Sequence, residues 1–221
     1  MENALVIGAS GGIGSAICAA LDSRGVSVTG LSRSGDGLDI TDETSVAEAL
    51  NRFDTPFDLI FVATGALEID GHAPEKSLDA LTASGLADQF ALNAIGPALV
   101  LKHARRLIPR DRPATVAVLS ARVGSIGDNG LGGWYAYRAA KAGLNQLVRG
   151  AAIELGRRHR KLCVVCLHPG TVATRFTADY QDRHPTVPPD EAARNLLTVI
   201  DSLTPADSGR FLDYAGKEIP W

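Results

Sequence analysis

Cysteine is scarce in this chain. There are three, Cys18, Cys163 and Cys166, and an odd number behind an N-terminus with no secretory pattern argues against a disulfide framework. Long hydrophobic runs are missing too, since none approaches the roughly 18 residues that a membrane-spanning helix needs. Met1-Glu-Asn-Ala-Leu-Val-Ile-Gly8 enters a strand-like run at once, without the basic, apolar and small-residue zones of a signal peptide, so the expected location is the cytoplasm. Nor is there an excess of charge of one sign: a net charge of −3 gives no footing for nucleic acid or an acidic membrane as partner. The one basic run, Arg157-Arg158-His159-Arg160-Lys161, suits the negative end of a helix dipole. The histidines, His72, His103, His159, His168 and His184, lack the spacing of a metal site, and none is expected. Cys163-Val-Val-Cys166 lies inside an apolar run, where residues three apart face opposite sides of a strand; two buried core cysteines are expected there rather than a redox pair.

What is present is a regular alternation. Short apolar, β-branched runs at Ala4 to Ile7, Val26 to Leu31, Leu59 to Ala63, Thr115 to Leu119, Leu162 to His168 and Arg210 to Asp213 read as strands. Between them, helical periodicity covers Ile13 to Arg24, Asp42 to Arg52, Leu86 to Leu107, Trp134 to Arg158 and Glu191 to Leu203. That order predicts an α/β protein with one doubly wound parallel sheet, and a single domain over residues 1–221. A crossover between parallel neighbours needs a dozen residues or more, and the six of Ser32-Arg-Ser-Gly-Asp-Gly37 are too few to hold a helix. Leu38-Asp39-Ile40 is therefore expected to form a rudimentary edge strand or none.

The first strand runs directly into Gly8-Ala-Ser10-Gly11-Gly12-Ile13-Gly14, which opens a helix. Glycines there let the backbone turn tightly and let a pyrophosphate approach the amides at the positive helix end. The spacing is G-x-x-x-G-x-G, not the commoner G-x-G-x-x-G, and by itself such a turn can be only a tight loop. Where an NAD site usually ends its second strand on an acid, this chain reads Leu31-Ser32-Arg33. A hydroxyl beside a guanidinium suits a 2′-phosphate, so NADP(H) is preferred over NAD(H), unless Arg33 is merely a surface arginine.

Tyr137-Arg-Ala-Ala-Lys141 sets a phenol and an ammonium four residues apart, on one helix face. A phenol with pKa ~10 is a poor acid and base at neutral pH, and a neighbouring cation favours its ionised form. Alone, this pair is equally an interfacial tyrosine with a snorkelling lysine. Joined to the glycine turn it resembles a short-chain dehydrogenase/reductase over nearly the whole chain. Gly132-Gly-Trp-Tyr-Ala-Tyr137 and Val123-Gly-Ser-Ile-Gly-Asp-Asn129 are similar to the C-factor-like and sniffer-type carbonyl reductase branch.

The resemblance implies a Rossmann-type fold and further site residues. Ala63-Thr64-Gly65-Ala66 stands where the family has N-N-A-G, keeping the glycine and losing both asparagines. Asn93-Ala-Ile-Gly96 matches N-x-x-G, whose asparagine is implied to hold a water in the proton relay, and Asp39 with Ile40 matches the adenine contact. Pro169-Gly170-Thr-Val172-Ala-Thr174 matches the segment implied to bind the nicotinamide carboxamide, and His168 precedes it, within reach of the cofactor region. The family also implies a homodimer or homotetramer packed through the two long helices.

One implied residue is missing. The serine that hydrogen-bonds the substrate carbonyl is replaced by Ala121, leaving Ser120 or Ser125 as substitutes if either comes within reach. The expected function is hydride transfer between NADP(H) and a carbonyl or alcohol, with Tyr137 as general acid/base, Lys141 holding the nicotinamide ribose and lowering the tyrosine's pKa, and Asn93 anchoring the proton path. The alternative is a non-catalytic NADP(H)-binding sensor, which gains ground if neither serine reaches the substrate site. The loop at about Arg175 to Pro189, which would shape the pocket, carries no recognisable motif, so the substrate is not legible.

Overall fold

A computed structural model describes residues 1–174 and 186–221; most of the loop expected to shape the pocket, residues 175–185, lies outside them. The elements run β1 (Asn3–Ile7), α1 (Gly12–Asp22), β2 (Ser27–Leu31), α2 (Arg33–Asp36), α3 (Glu43–Asn51) and β3 (Leu59–Val62). They continue with α4 (Ala83–Phe90), a π-helical turn (Ala91–Ile95), α5 (Gly96–Ala104), β4 (Ala114–Leu119), α6 (Tyr135–Gly156), β5 (Leu162–His168), α7 (Pro189–Ser202) and β6 (Phe211–Asp213).

All strand pairs are parallel, in the order β2-β1-β3-β4-β5-β6. Helices cover both faces, which is why the central strands are continuous apolar runs; β3, Leu-Ile-Phe-Val, is buried at every position. Leu5, Ile7, Ile60, Val118 and Cys166 face α3, α5 and α6 through Leu50, Val100 and Leu144. Their strand neighbours Val6, Phe61, Leu119, Cys163 and Leu167 face α1 and α7 through Ile17, Leu21 and Leu196. The two strand cysteines are thus free thiols on opposite faces, as the spacing predicts.

No strand forms at Leu38-Asp39-Ile40. Leu38 and Ile40 still bury in the core beside β2, so the segment supplies apolar side chains without ladder hydrogen bonds. Two expectations need correcting. The six residues after β2 do hold a helix, the single turn α2, because the Ser32 hydroxyl accepts from the Gly35 amide at 3.0 Å and the Asp36 carboxylate accepts from the Ser32 amide at 2.9 Å. The helix expected over Leu86 to Leu107 is not continuous: α4 and α5 are separate α-helices joined by the π turn at Ala91–Ile95. Among the described residues no helix is long and apolar enough to cross a membrane.

The chain leaves β1 for β2 on one side and later returns to β3 on the other. The carboxyl ends of β1 and β3 therefore part at a topological switch point, where open parallel sheets form their ligand crevice. A Cβ on Gly8, which has φ +89°, would stand 3.0 Å from the Ala63 carbonyl carbon and oxygen, so the turns after the two strands meet there.

Candidate active site

A cavity of about 570 Å³ opens at the carboxyl ends of the strands. Ser10, Gly11, Gly12 and Ile13 of the turn after β1 form one side, next to Ala63, Thr64 and Gly65 after β3. Ser120 and Ala121 follow from β4, with Tyr137 and Lys141 from α6. Pro169, Gly170, Val172 and Thr174 close the far side, together with His168 at the end of β5. Residues from five separated stretches of sequence therefore line one cavity.

Gly8 and Gly14 lie against each other beneath that wall: a Cβ at Gly14 would stand 2.1 Å from the Gly8 carbonyl oxygen. At Gly12 it would meet Thr174 Cγ2 at 2.5 Å, so only glycine keeps the slot between the turn and the far side open. The turn hands over to α1 at Gly12, presenting helix N-terminal amides at the cavity.

α6 is preceded by three consecutive left-handed residues, Gly132 (φ +64°), Gly133 (φ +64°) and Trp134 (φ +51°). A left-handed conformation is strained for a tryptophan and persists where the surroundings hold it. Glu75 does the holding. Its carbonyl accepts from the Trp134 amide at 2.6 Å, and its carboxylate accepts from the Ala136 amide at 3.2 Å, where a negative charge also suits the helix dipole. Tyr137 sits one turn on, 4 % exposed, with the Trp134 ring edge-on to it at 6.4 Å between centroids.

Lys141 lies 3 % exposed beside Tyr137, its ammonium 5.8 Å from the phenol ring centroid and donating to the Leu119 carbonyl at 3.1 Å. Burial dominates both titrations. It pushes the Tyr137 phenol up and lowers Lys141 to about 8, so in this state desolvation outweighs any lowering of the tyrosine by its lysine. Space around the ammonium is shaped by glycines: a Cβ on Gly65 would come 2.7 Å from Asn93 Oδ1 and 3.4 Å from Lys141 Nζ, and one on Gly124 would come 2.7 Å from Lys141 Cβ.

Asn93, fully buried in the π turn, is not on the cavity wall. Its Nδ2 donates to the Ala66 carbonyl at 2.9 Å and to Gln89 Oε1 at 2.6 Å, and its Oδ1 accepts from the Ala66 amide at 3.2 Å. With both amide hydrogens used, the side chain clamps the turn after β3, and Gln89 reinforces the clamp by donating to the Leu67 carbonyl at 2.9 Å. Gly96, one turn later, lets Ile40 approach; a Cβ there would stand 2.9 Å from the Ile40 carbonyl oxygen.

Both serines named as substitutes for the missing one are occupied. Ser120 donates its only proton to Asn145 Oδ1 at 2.6 Å, an acceptor because Asn145 Nδ2 donates to the Gly124 carbonyl. Ser125 donates to the Pro220 carbonyl, accepts from the Asp128 amide, and does not line the cavity. Nor do Ser32, Arg33, Asp39 and Ile40. The Ser32 hydroxyl caps α2, Arg33 is exposed at its start, and Asp39 accepts from the Thr41 amide and hydroxyl, which hold its carboxyl below the usual range.

Sequence reasoning missed Glu75, Gln89 and Asn145. Only Gln89 and Asn145 left a signal, each four residues from a singled-out neighbour, Asn93 and Lys141, on the same helix face. Two polar atoms of residues on the wall, Thr64 Oγ1 and His168 Nδ1, are buried without a hydrogen-bond partner among the described residues. Unsatisfied groups of this kind are rare, and with a glycine-lined slot at a helix N-terminus they fit a polar, phosphate-bearing ligand.

Residues 8–207 match the family model described as enoyl-(acyl carrier protein) reductase, one of the short-chain dehydrogenase models. The chain belongs to the short-chain dehydrogenase/reductase family. It is thus an oxidoreductase of the short-chain type. It is 32 % identical to 1-hydroxy-2-glutathionyl-2-methyl-3-butene dehydrogenase of a Rhodococcus species, over all of both chains. It is 40 % identical to the C-signal protein of Myxococcus xanthus, over 62 % of this chain and 78 % of that one. Among solved structures, the carbonyl reductase Sniffer of D. melanogaster shares the fold, with a TM-score of 0.83 at 19 % identity over all of both chains. A short-chain protein of Burkholderia multivorans with bound NADP superposes at a TM-score of 0.81 and 25 % identity, over 100 % of this chain and 99 % of that one. The family resemblance read from the glycine turn and the Tyr137–Lys141 pair is therefore met.

Proposed function

We propose that this short-chain dehydrogenase/reductase is an NADP(H)-dependent carbonyl reductase. The observation that carries the reading is the meeting of Tyr137 and Lys141 with the glycine turn on one cavity wall. Ser10 through Ile13 would hold the pyrophosphate at the α1 N-terminus, Ala63 to Gly65 the central part of the nucleotide, and Pro169, Gly170, Val172 and Thr174 the nicotinamide end. When bound, NADPH supplies the hydride that takes a carbonyl carbon to the alcohol level.

Everything else falls to the chain. Tyr137 donates the matching proton to the carbonyl oxygen; burial keeps the phenol protonated but weakens it as an acid, so the step leans on a cation beside it to favour the phenolate. Lys141, lowered to about 8, gains and loses a proton near neutral pH; charged, it both anchors the nicotinamide ribose and favours the phenolate that proton donation leaves. Asn93 is a positioning residue that fixes Ala66 and the adjoining Gly65 against Lys141.

The bound NADP of the Burkholderia structure supports the cofactor, and Arg33, exposed at the start of α2, supports NADP(H) over NAD(H). Arg33→Ala should raise the KM for NADPH roughly tenfold, the value of one charge-assisted hydrogen bond, and leave that for NADH unchanged. Equal effects on both would remove the preference. Pairing into a homodimer or homotetramer through the long helices is supported by Leu147 and Ile153, exposed on α6. Light scattering that gives the mass of one chain would overturn that pairing.

A second reading, the non-catalytic NADP(H)-binding sensor, is favoured by one observation: neither serine beside Ala121 has a proton left for a substrate. The test follows NADPH and NADH oxidation against a panel of aldehydes, ketones and quinones. Consumption supports the reductase, whereas NADPH binding without consumption supports the sensor.

A further inference from the structure

Tyr137 stands on the first turn of its helix, and helix ends are where fraying occurs. The Arg138 amide closes that turn by donating to the Trp134 carbonyl at 2.8 Å, so no earlier turn supports the tyrosine. Lys141, a turn further on, has its ammonium tied to the Leu119 carbonyl. Amides ahead of the first helical bond need acceptors from outside the helix, and the Trp134 indole is a donor only. Glu75 meets them from 61 residues upstream: its carbonyl accepts from the Trp134 amide, and its carboxylate from the amide of Ala136, the residue before Tyr137. Glu75 and Tyr137 also line one small cavity of about 20 Å³, with Pro74 and Gln89. The segment that carries Glu75 is itself fixed. Its chain reverses at Asp70 (φ +51°) and Gly71 (φ +78°), the His72 amide donates back to the Ile69 carbonyl at 2.9 Å, and Pro74 is buried.

We propose that Glu75 is a positioning residue for the reduction, whose side-chain bond to the Ala136 amide holds the first turn of α6 and so keeps the Tyr137 phenol in its place beside Lys141. The inference rests on the reductase reading above. Backbone and side chain divide the work. The Glu75 carbonyl meets the Trp134 amide whatever side chain stands at position 75, so the left-handed entry to α6 outlasts a substitution there. The second bond, one residue from Tyr137, depends on a side chain of glutamate length. Reach matters more to it than charge: a carboxamide oxygen also accepts from a backbone amide, whereas aspartate is one methylene short. A reacting group displaced by ~1 Å through a change elsewhere is able to lose about a hundredfold in rate. Gln89 ties the arrangement to the rest of the site. It donates to the Leu67 carbonyl at the start of this segment and accepts from Asn93, so the loop that carries Glu75 and the turn after β3 are held by the same pair of amides.

The test uses the whole protein and a carbonyl compound that the parent reduces, comparing Glu75→Ala, Glu75→Asp and Glu75→Gln at a temperature where circular dichroism shows each to be folded. The alanine and aspartate variants should lower kcat about tenfold, with the KM for the carbonyl compound and the Kd for NADPH within about twofold of the parent. Glu75→Gln should keep kcat within about threefold of the parent, because it retains an acceptor of the right length. Should the alanine variant not fold, aspartate against glutamine carries the comparison. Unchanged kcat in the alanine and aspartate variants overturns the inference while leaving an active reductase. A glutamine variant no faster than the aspartate one overturns it too, since charge and not reach would then carry the effect. So does a parallel loss of NADPH affinity, which would make Glu75 a support of the whole site and not of the phenol. A parent that binds NADPH but reduces no carbonyl removes the reductase reading itself, and the inference falls with it.

Discussion

Tyr137→Phe should cut kcat about a thousandfold on any carbonyl substrate while leaving the Kd for NADPH within a few fold. General acid catalysis by one positioned group is typically worth about 10²–10⁴ in rate, and a phenyl ring has no proton to give. The substitution is mild in every other respect: the ring stays, and with it the edge-on contact to Trp134 at 6.4 Å and the place under the Lys141 ammonium. Steady-state kinetics paired with NADPH fluorescence titration separate the two effects. A variant that retains more than a tenth of the parent's kcat would show that the proton comes from elsewhere on the wall, and the assignment of Tyr137 would fail.

Gly14→Ala carries the second large effect, this time on the cofactor. The added methyl would lie 2.1 Å from the Gly8 carbonyl oxygen, well inside contact distance, and the obstacle is backbone. Relief requires the turn to open, so the slot proposed for the pyrophosphate is lost along with packing. Overpacking of this severity costs about 3 kcal/mol, which for a domain of this size lowers Tm by roughly 6–12 °C. NADPH affinity should fall at least tenfold, measured by calorimetry at a temperature where the variant is folded. Gly150→Ala is the control for glycine replacement as such: Gly150 also lies inside a helix, α6, but nothing lies within 4 Å of its Cβ position. Affinity equal to the parent's in the Gly14 variant would mean the turn does not hold the cofactor.

The sheet and the Tyr137–Lys141 pair were legible for physical reasons. Strands buried on both faces have no choice but to be apolar throughout, and β1, β3 and β5 stand out against their helices on that ground alone. Tyr137 and Lys141 could be joined because a helix sets residues four apart on one face. Residues meeting across long stretches of chain could not be joined that way. Glu75 reaches the start of α6 from 61 residues upstream, and nothing in its neighbours announces it. The Ser120–Asn145 bond, 25 residues apart, decides whether a serine is free for substrate, yet composition and spacing are silent on it. α2 was missed because a count of residues in a crossover ignores a capped single turn, which Ser32 and Asp36 are able to close between them.

The π turn has a further consequence. In the stretch Phe90-Ala-Leu-Asn-Ala-Ile95, α-helical residues would pack at a regular 3.6-residue pitch, and helix periodicity gives no warning that the pitch widens. Widening brings the amide of Asn93 to Ala66 and Gln89. Here helical regularity and the clamp on Ala66 compete for the same five residues. Sequence changes that tighten Ala91–Ile95 into ordinary helix should loosen the hold on Ala66 and the adjoining Gly65 and, through them, the setting of Lys141.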